Sequence, residues 1–146
     1  MLLWVLIFMT SCVLKSTQSE HVNKALPNIG ERFLVAYNKH DHHMMLELVH
    51  PEIKYMLVVG DKIYTEVNSK TALADFLVNY FKHTPKAQSK LISSSLQGPF
   101  IHQIEQAIWQ DKSGNNKTQC SLSIYEIKQQ LIINIWYFNT FKCPLE

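Results

Sequence analysis

The chain has 146 residues, enough for one domain with a single well-buried core. With 47% apolar and 18% charged residues it lies outside the composition of disordered chains. A formal net charge of +2, scattered lysines and Arg32 as the sole arginine leave no footprint for nucleic acid and no guanidinium cluster for phosphate, so no nucleic-acid partner is expected.

Leu2 to Met9 is continuously apolar, and Thr10-Ser-Cys-Val-Leu14 extends the run weakly before Lys15. A membrane span needs about 20 apolar residues, and this run has the length of a signal-peptide hydrophobic region instead. Small residues near Ser16 and Ser19 supply a cleavage point, which divides the chain into a signal peptide over 1–19 and a domain over 20–146. No charged side chain precedes Leu2, and a buried helix of the domain is the competing reading. Met9-Thr-Ser-Cys12 also resembles a bacterial lipobox, in which Cys12 becomes a lipidated N-terminus. Both export readings place the domain outside the cytoplasm, secreted or periplasmic, with membrane attachment only through Cys12.

Past Pro27, the residues Ile29, Phe33, Ala36, Tyr37 and His40 recur at helical spacing. Asp41 is placed to cap a second, short helix that buries Met45, Leu48 and Val49 and stops at Pro51. Ile53–Val59 and Lys62–Thr65 read as strands around a Gly60-Asp61 turn. Ser69 caps a third helix, on which Ala72, Leu73, Phe76, Leu77, Tyr80 and Phe81 recur until Thr84-Pro85. From Gln88 onward the period changes. Lys90–Leu96, Ile101–Gln110, Thr118–Ile127 and Leu131–Phe141 form an antiparallel meander, its last corner at Gln129-Gln130.

Three helices from the N-terminal half on the concave face of a curved antiparallel sheet make an α+β fold. The order of elements, their spacing and the Tyr37-Asn-Lys-His-Asp41 corner resemble the SnoaL-like and nuclear transport factor 2-like domains, the cone-shaped group that includes ketosteroid isomerase. The resemblance covers about Glu20 to Lys142. In ketosteroid isomerase a carboxylate base moves the proton while a tyrosine and a protonated aspartic acid hold the oxyanion. Alignment through Asp41 and the last hairpin puts the oxyanion tyrosine on Phe33, the base on Leu57 and the protonated acid near Ser123. None of these can perform its role, so isomerase chemistry of that type is not expected.

With Gln129-Gln130 at the corner, Tyr125 is expected opposite Asn134, Ser123 opposite Trp136, and Ser121 opposite Phe138. The resemblance points this phase into the cone, making Ser121, Ser123, Tyr125, Asn134, Trp136 and Phe138 the expected ligand-binding residues. A filled core with hydroxyls satisfied by buried water is the alternative. The opposite phase, Leu122, Ile124, Ile133, Ile135 and Tyr137, is expected to form an uncovered apolar face through which two copies pair.

His40, His42, His43, Glu47 and His50 cluster at a corner where side chains diverge, so no metal is expected, and no cofactor. Cys120 is expected opposite Asn139. That register leaves Cys143 about 13 Å further along, beyond the roughly 7 Å limit for a bridge, unless the terminus curls back. Asn116-Lys-Thr118 is a glycosylation sequon of use only in a eukaryotic host. Glu105, Asp111 and Glu126 have no assigned role. The reading is a non-catalytic exported domain binding a small apolar molecule. The alternatives are a SnoaL-like isomerase, cyclase or dehydratase with unassigned catalytic residues, and an interaction domain of an envelope assembly.

Overall fold

The computed structural model describes residues 28–143. The expected signal peptide over 1–19 and the expected lipobox at Cys12 lie outside the described residues, as does the rest of the chain up to Pro27. The elements are α1 (Ile29–Asn38), α2 (His42–Glu47), β1 (Val49–Val59), β2 (Lys62–Val67), α3 (Lys70–His83), β3 (Gln88–Gln97), β4 (Phe100–Gln110), β5 (Asn116–Lys128) and β6 (Leu131–Phe138). The strands form one open sheet in the order β2-β1-β6-β5-β4-β3. Neighbours are antiparallel except β1 and β6, which run parallel, so the sheet is mixed where a purely antiparallel one was expected.

Each helix begins at a side chain that satisfies a free backbone N–H. Asn28 accepts from Glu31, Asp41 from Met44 and Ser69 from Ala72. The α1–α2 corner is a Schellman closure, in which Asp41 N–H donates to Ala36 and His40 N–H to Tyr37. His40 occupies the left-handed position at φ 54° where glycine is usual. Its ring compensates by lying 4.6 Å from the Phe81 ring in a stacked arrangement and bonding the Ala87 carbonyl at 2.9 Å. The Asn38 amide bonds Ser89 N–H and C=O, both at 2.7 Å, which ties the end of α1 to the edge strand β3. Gly30 lets α1 approach the sheet, since a Cβ there would stand 3.0 Å from the Gln103 amide nitrogen.

The core lies between the helices and the concave face. Phe33, Ala36, Met45, Leu48, Ile53, Leu73, Leu77, Ile101, Ile132 and Ile135 are buried together. Bulges in β3, in β6 and in the β1–β2 pair break the regular register and help the sheet curve.

The β6 bulge corrects the expected hairpin. Next to the corner the expected pairing holds, with Lys128 opposite Leu131 and Ile127 opposite Ile132. Gln129 and Gln130 both have positive φ, as a two-residue type I′ turn requires. Ile133 is then an extra residue, and Glu126 pairs with Asn134, Tyr125 with Ile135, Ile124 with Trp136 and Ser123 with Tyr137. One residue of slip sends every later side chain to the other face. Asn134, Trp136 and Phe138 therefore leave the cone, while Ile135 and Tyr137 enter it. The face free of helices carries Leu122, Ile124, Trp136 and Phe138, and Ile135 is fully buried in the core rather than exposed upon it.

The chain end also differs from expectation. Beyond β6 it curls back so that Cys120 and Phe141 exchange backbone hydrogen bonds of 3.0 and 2.8 Å. Cys143 then reaches Cys120, Cα to Cα 4.9 Å, and the two form a disulfide. The bridge closes a loop with a sequence separation of 23. Cys143→Ser is expected to cost about 3 kcal/mol by the loop-entropy relation. A chemical denaturation midpoint unchanged between wild type and variant under oxidising conditions would count against the bridge.

Candidate ligand site in the cone

A cavity of about 180 Å³ lies between the helices and the concave face. Its helical wall follows from sequence periodicity. Phe33 and Tyr37 are one turn apart on α1, and Leu73, Phe76, Leu77 and Tyr80 share a face of α3, with Met45 added from α2. The sheet contributes inward positions of five strands: Tyr55, Ser89, Glu105 and Ala107, Ser121 and Tyr137.

Glu105 is the chemical centre of this wall, and only 3% of its surface is exposed. Its Oε1 accepts from Tyr125 at 2.7 Å and from Ser123, and its Oε2 from Tyr137 at 3.1 Å and Ser89 at 3.4 Å. The Tyr125 and Tyr137 hydroxyls also meet each other at 3.0 Å. Four neutral donors from three strands therefore surround one buried carboxylate. No lysine, arginine or histidine lines the cavity among the described residues. The carboxylate oxygens are engaged by hydroxyls, which hold the group in one orientation in the wall.

Of the six expected ligand residues, the fold brings three together. Ser121 lines the cavity, while Ser123 and Tyr125 lie fully buried behind it, bonded to Glu105. Asn134 instead donates to Glu126 at 2.6 Å, and Trp136 and Phe138 belong to the outer phase, all three displaced by the Ile133 bulge. Sequence reasoning passed over Glu105 and Tyr137. Glu105 was legible in principle, because it sits in phase with Ile101 and Gln103 on an alternating strand, an inward charge that burial must explain. Tyr137 was not, since its orientation depends on the bulge.

Phe33, the aligned oxyanion position, is a wall of the cavity, and Leu57 pairs with Tyr137. The histidines have separate local roles: His40 closes the helix corner, His42 and His43 lie against each other, and His50 accepts from Glu52 N–H. Among the described residues no three His, Cys, Asp or Glu side chains converge. Asp111 organises its turn by accepting from Ser113 and Asn115 N–H, and the Asn115 amide holds its carboxyl below the usual range. The Gln103 amide is buried behind Gly30, outside the cavity lining, and has no hydrogen-bond partner among the described residues.

No family model matches the sequence, and a comparison with curated proteins gives no match. Solved structures do match in shape. A cystatin-fold protein from Novosphingobium aromaticivorans superposes with a TM-score of 0.66 at 12% identity, covering 79% of this chain and 100% of that one. A protein of ketosteroid isomerase-like fold from Catenulispora acidiphila, in complex with trimethylamine, has a TM-score of 0.68 at 7% identity over 80% and 88% of the two chains. A putative polyketide cyclase from Sinorhizobium meliloti has a TM-score of 0.58 at 15% identity over 77% and 94%. Identities this low carry the fold and nothing of the chemistry.

Burial pushes the phenols of Tyr125 and Tyr137 well above the ordinary range, and the adjacent Glu105 carboxylate pushes them further. Tyr55 is raised by burial and then Glu105, and Tyr37 by burial and then its 2.9 Å bond to Tyr80. The folded chain thus holds these four protons more tightly than the unfolded chain does. That contribution to stability is complete below the unfolded phenol value of about 10 and is lost as pH rises beyond it. In a spectrophotometric titration, phenolate absorbance from Tyr37, Tyr55, Tyr125 and Tyr137 should appear only together with alkaline unfolding. Ionisation of all six tyrosines near pH 10 in a still-folded chain would contradict this.

Proposed function

With the fold of the nuclear transport factor 2-like and ketosteroid isomerase-like proteins as premise, we propose that this chain binds a small, mostly apolar molecule in the cone without transforming it. The observation that carries the reading is the cavity itself, about 180 Å³, walled by aromatic and aliphatic side chains. A dry cavity of about 150 Å³ accommodates benzene, so the ligand is of that size class. The fused rings of a steroid do not fit this volume. The vacated positions Phe33, Leu57 and Ser123 also speak against steroid isomerisation. Trimethylamine, held by the Catenulispora acidiphila protein, belongs to the same size class.

Toluene titrated into the protein should bind with a Kd on the order of millimolar or tighter. Ala107→Trp, at an accessible inward position of β4, should fill the cavity and abolish binding with the circular dichroism unchanged. A model ketosteroid should show no double-bond shift above background. Turnover by wild type that disappears in Ala107→Trp would favour the SnoaL-like enzyme reading instead.

The domain is proposed to be exported, its leader removed within residues 1–19 or its Cys12 lipidated. Support comes from the Cys120–Cys143 disulfide, a bond favoured in oxidising compartments. Intact-mass measurement on protein from the native host should give a shortened or lipidated chain, and a full-length mass would refute export.

Two copies are proposed to pair through the outer face of the sheet. Support is the apolar set Leu122, Ile124, Trp136 and Phe138 on the side opposite the helices. Ile124→Lys should shift sedimentation from dimer to monomer while leaving the fold intact. Ile135→Lys would bury a charge in the core and unfold the domain. A wild-type monomer at high micromolar concentration would remove the interface.

A further inference from the structure

The aromatic side chains of the cavity are arranged as a connected belt. Tyr37 and Tyr80 have ring centroids 6.1 Å apart, Tyr80 and Phe76 5.9 Å, Phe76 and Tyr55 5.7 Å, and Tyr55 and Tyr137 5.4 Å. All five line the cavity, as does Glu105. The Tyr137 hydroxyl bonds that carboxylate, so the belt ends on the acid.

This wall is electrically one-sided. Aromatic rings present negative potential on their faces, and a cation within about 6 Å of a ring centroid is attracted. Glu105 adds a formal negative charge that no cationic side chain of the cavity lining answers. Its hydroxyl partners are neutral dipoles that fix the carboxylate in place without cancelling its charge. A neutral ligand entering the cavity would exclude water from this charge and return nothing electrostatically. An anion would be repelled. A hard metal ion would require further anionic ligands, and among the described residues no three His, Cys, Asp or Glu side chains converge. The complementary guest is compact, carries a diffuse positive charge and has an apolar surface.

We propose that the cavity selects an organic ammonium ion, a small alkylated amine, with the ring belt as its cage and Glu105 as its fixed counter-charge. This rests on the reading of the cone as a small-molecule pocket and names the chemical class that the pocket prefers. The amine sits against the rings and is drawn toward the carboxylate, while Leu73 and Leu77 meet its alkyl surface.

The test uses two probes of one shape, choline and 3,3-dimethylbutan-1-ol, which differ in nitrogen cation against neutral carbon. Each is titrated calorimetrically into the full domain with its disulfide intact. Choline should bind wild type at least tenfold more tightly than the neutral probe. Glu105→Gln should reduce that ratio to within about twofold while the neutral probe still binds. Phe76→Leu, on the partly exposed helix α3, removes packing surface from both probes and a ring face from choline alone, so it should weaken choline by a several-fold larger factor than the neutral probe. If Glu105→Gln does not fold, the Phe76→Leu ratio decides by the same criterion. Equal binding of the two probes by wild type, or a preference that survives in the folded variants, overturns the ammonium assignment while the small-molecule pocket stands. Binding of neither probe overturns the pocket and the assignment together.

Discussion

The interior of this domain depends on one extra residue. Ile133 is accommodated as a bulge three places after the last corner, and everything downstream on β6 changes face. A regular hairpin would put Asn134, Trp136 and Phe138 toward the helices. The bulge puts Ile135 into the core and brings the Tyr137 hydroxyl to 3.1 Å from Glu105. It also leaves Trp136 on the outer sheet beside Ile124, so the composition of both faces is set at a single point. The parallel contact with β1 follows the same register, with Tyr55 beside Ile135 and Leu57 beside Tyr137.

Around Glu105 the sheet solves a problem of burial with hydroxyls alone. Ser89 from β3, Ser123 and Tyr125 from β5, and Tyr137 from β6 converge on a carboxylate of β4. Each bond spans strands, so the network holds the sheet's curvature locally as well as satisfying the acid. The acid is therefore both a structural centre and the charged wall of the cavity.

Much of the architecture was legible because it rests on local rules. The caps at Asp41 and Ser69, the apolar stripe of α3 and the turn at Gly60 are written in short-range spacing and hold in the structure. The two-glutamine corner also lies where the pattern places it. The rest is set by tertiary packing. No residue type announces a bulge at an isoleucine, since Ile132 and Ile133 are equally good strand residues. The parallel β1–β6 pair joins strands far apart in sequence, and the curl that brings Cys143 to Cys120 occurs in residues without periodicity. Half of the expected ligand residues were thus displaced by one insertion, while Ser121, Ser123 and Tyr125, which precede the corner, kept their face.

The closed shell of hydroxyls around Glu105 has a consequence for how this sequence can drift. Replacing the acid alone with an apolar residue would strand four hydroxyls in a site that water scarcely reaches. Replacing one tyrosine alone would remove a donor from a carboxylate that has no cation beside it among the described residues lining the cavity. Only simultaneous changes at several strands restore balance, and such combinations are rarely sampled. The acid and its hydroxyls should therefore be inherited as a block, persisting through changes of ligand that alter the helical wall. The diversity of such a lineage is expected on α1 and α3, with the sheet floor left nearly untouched.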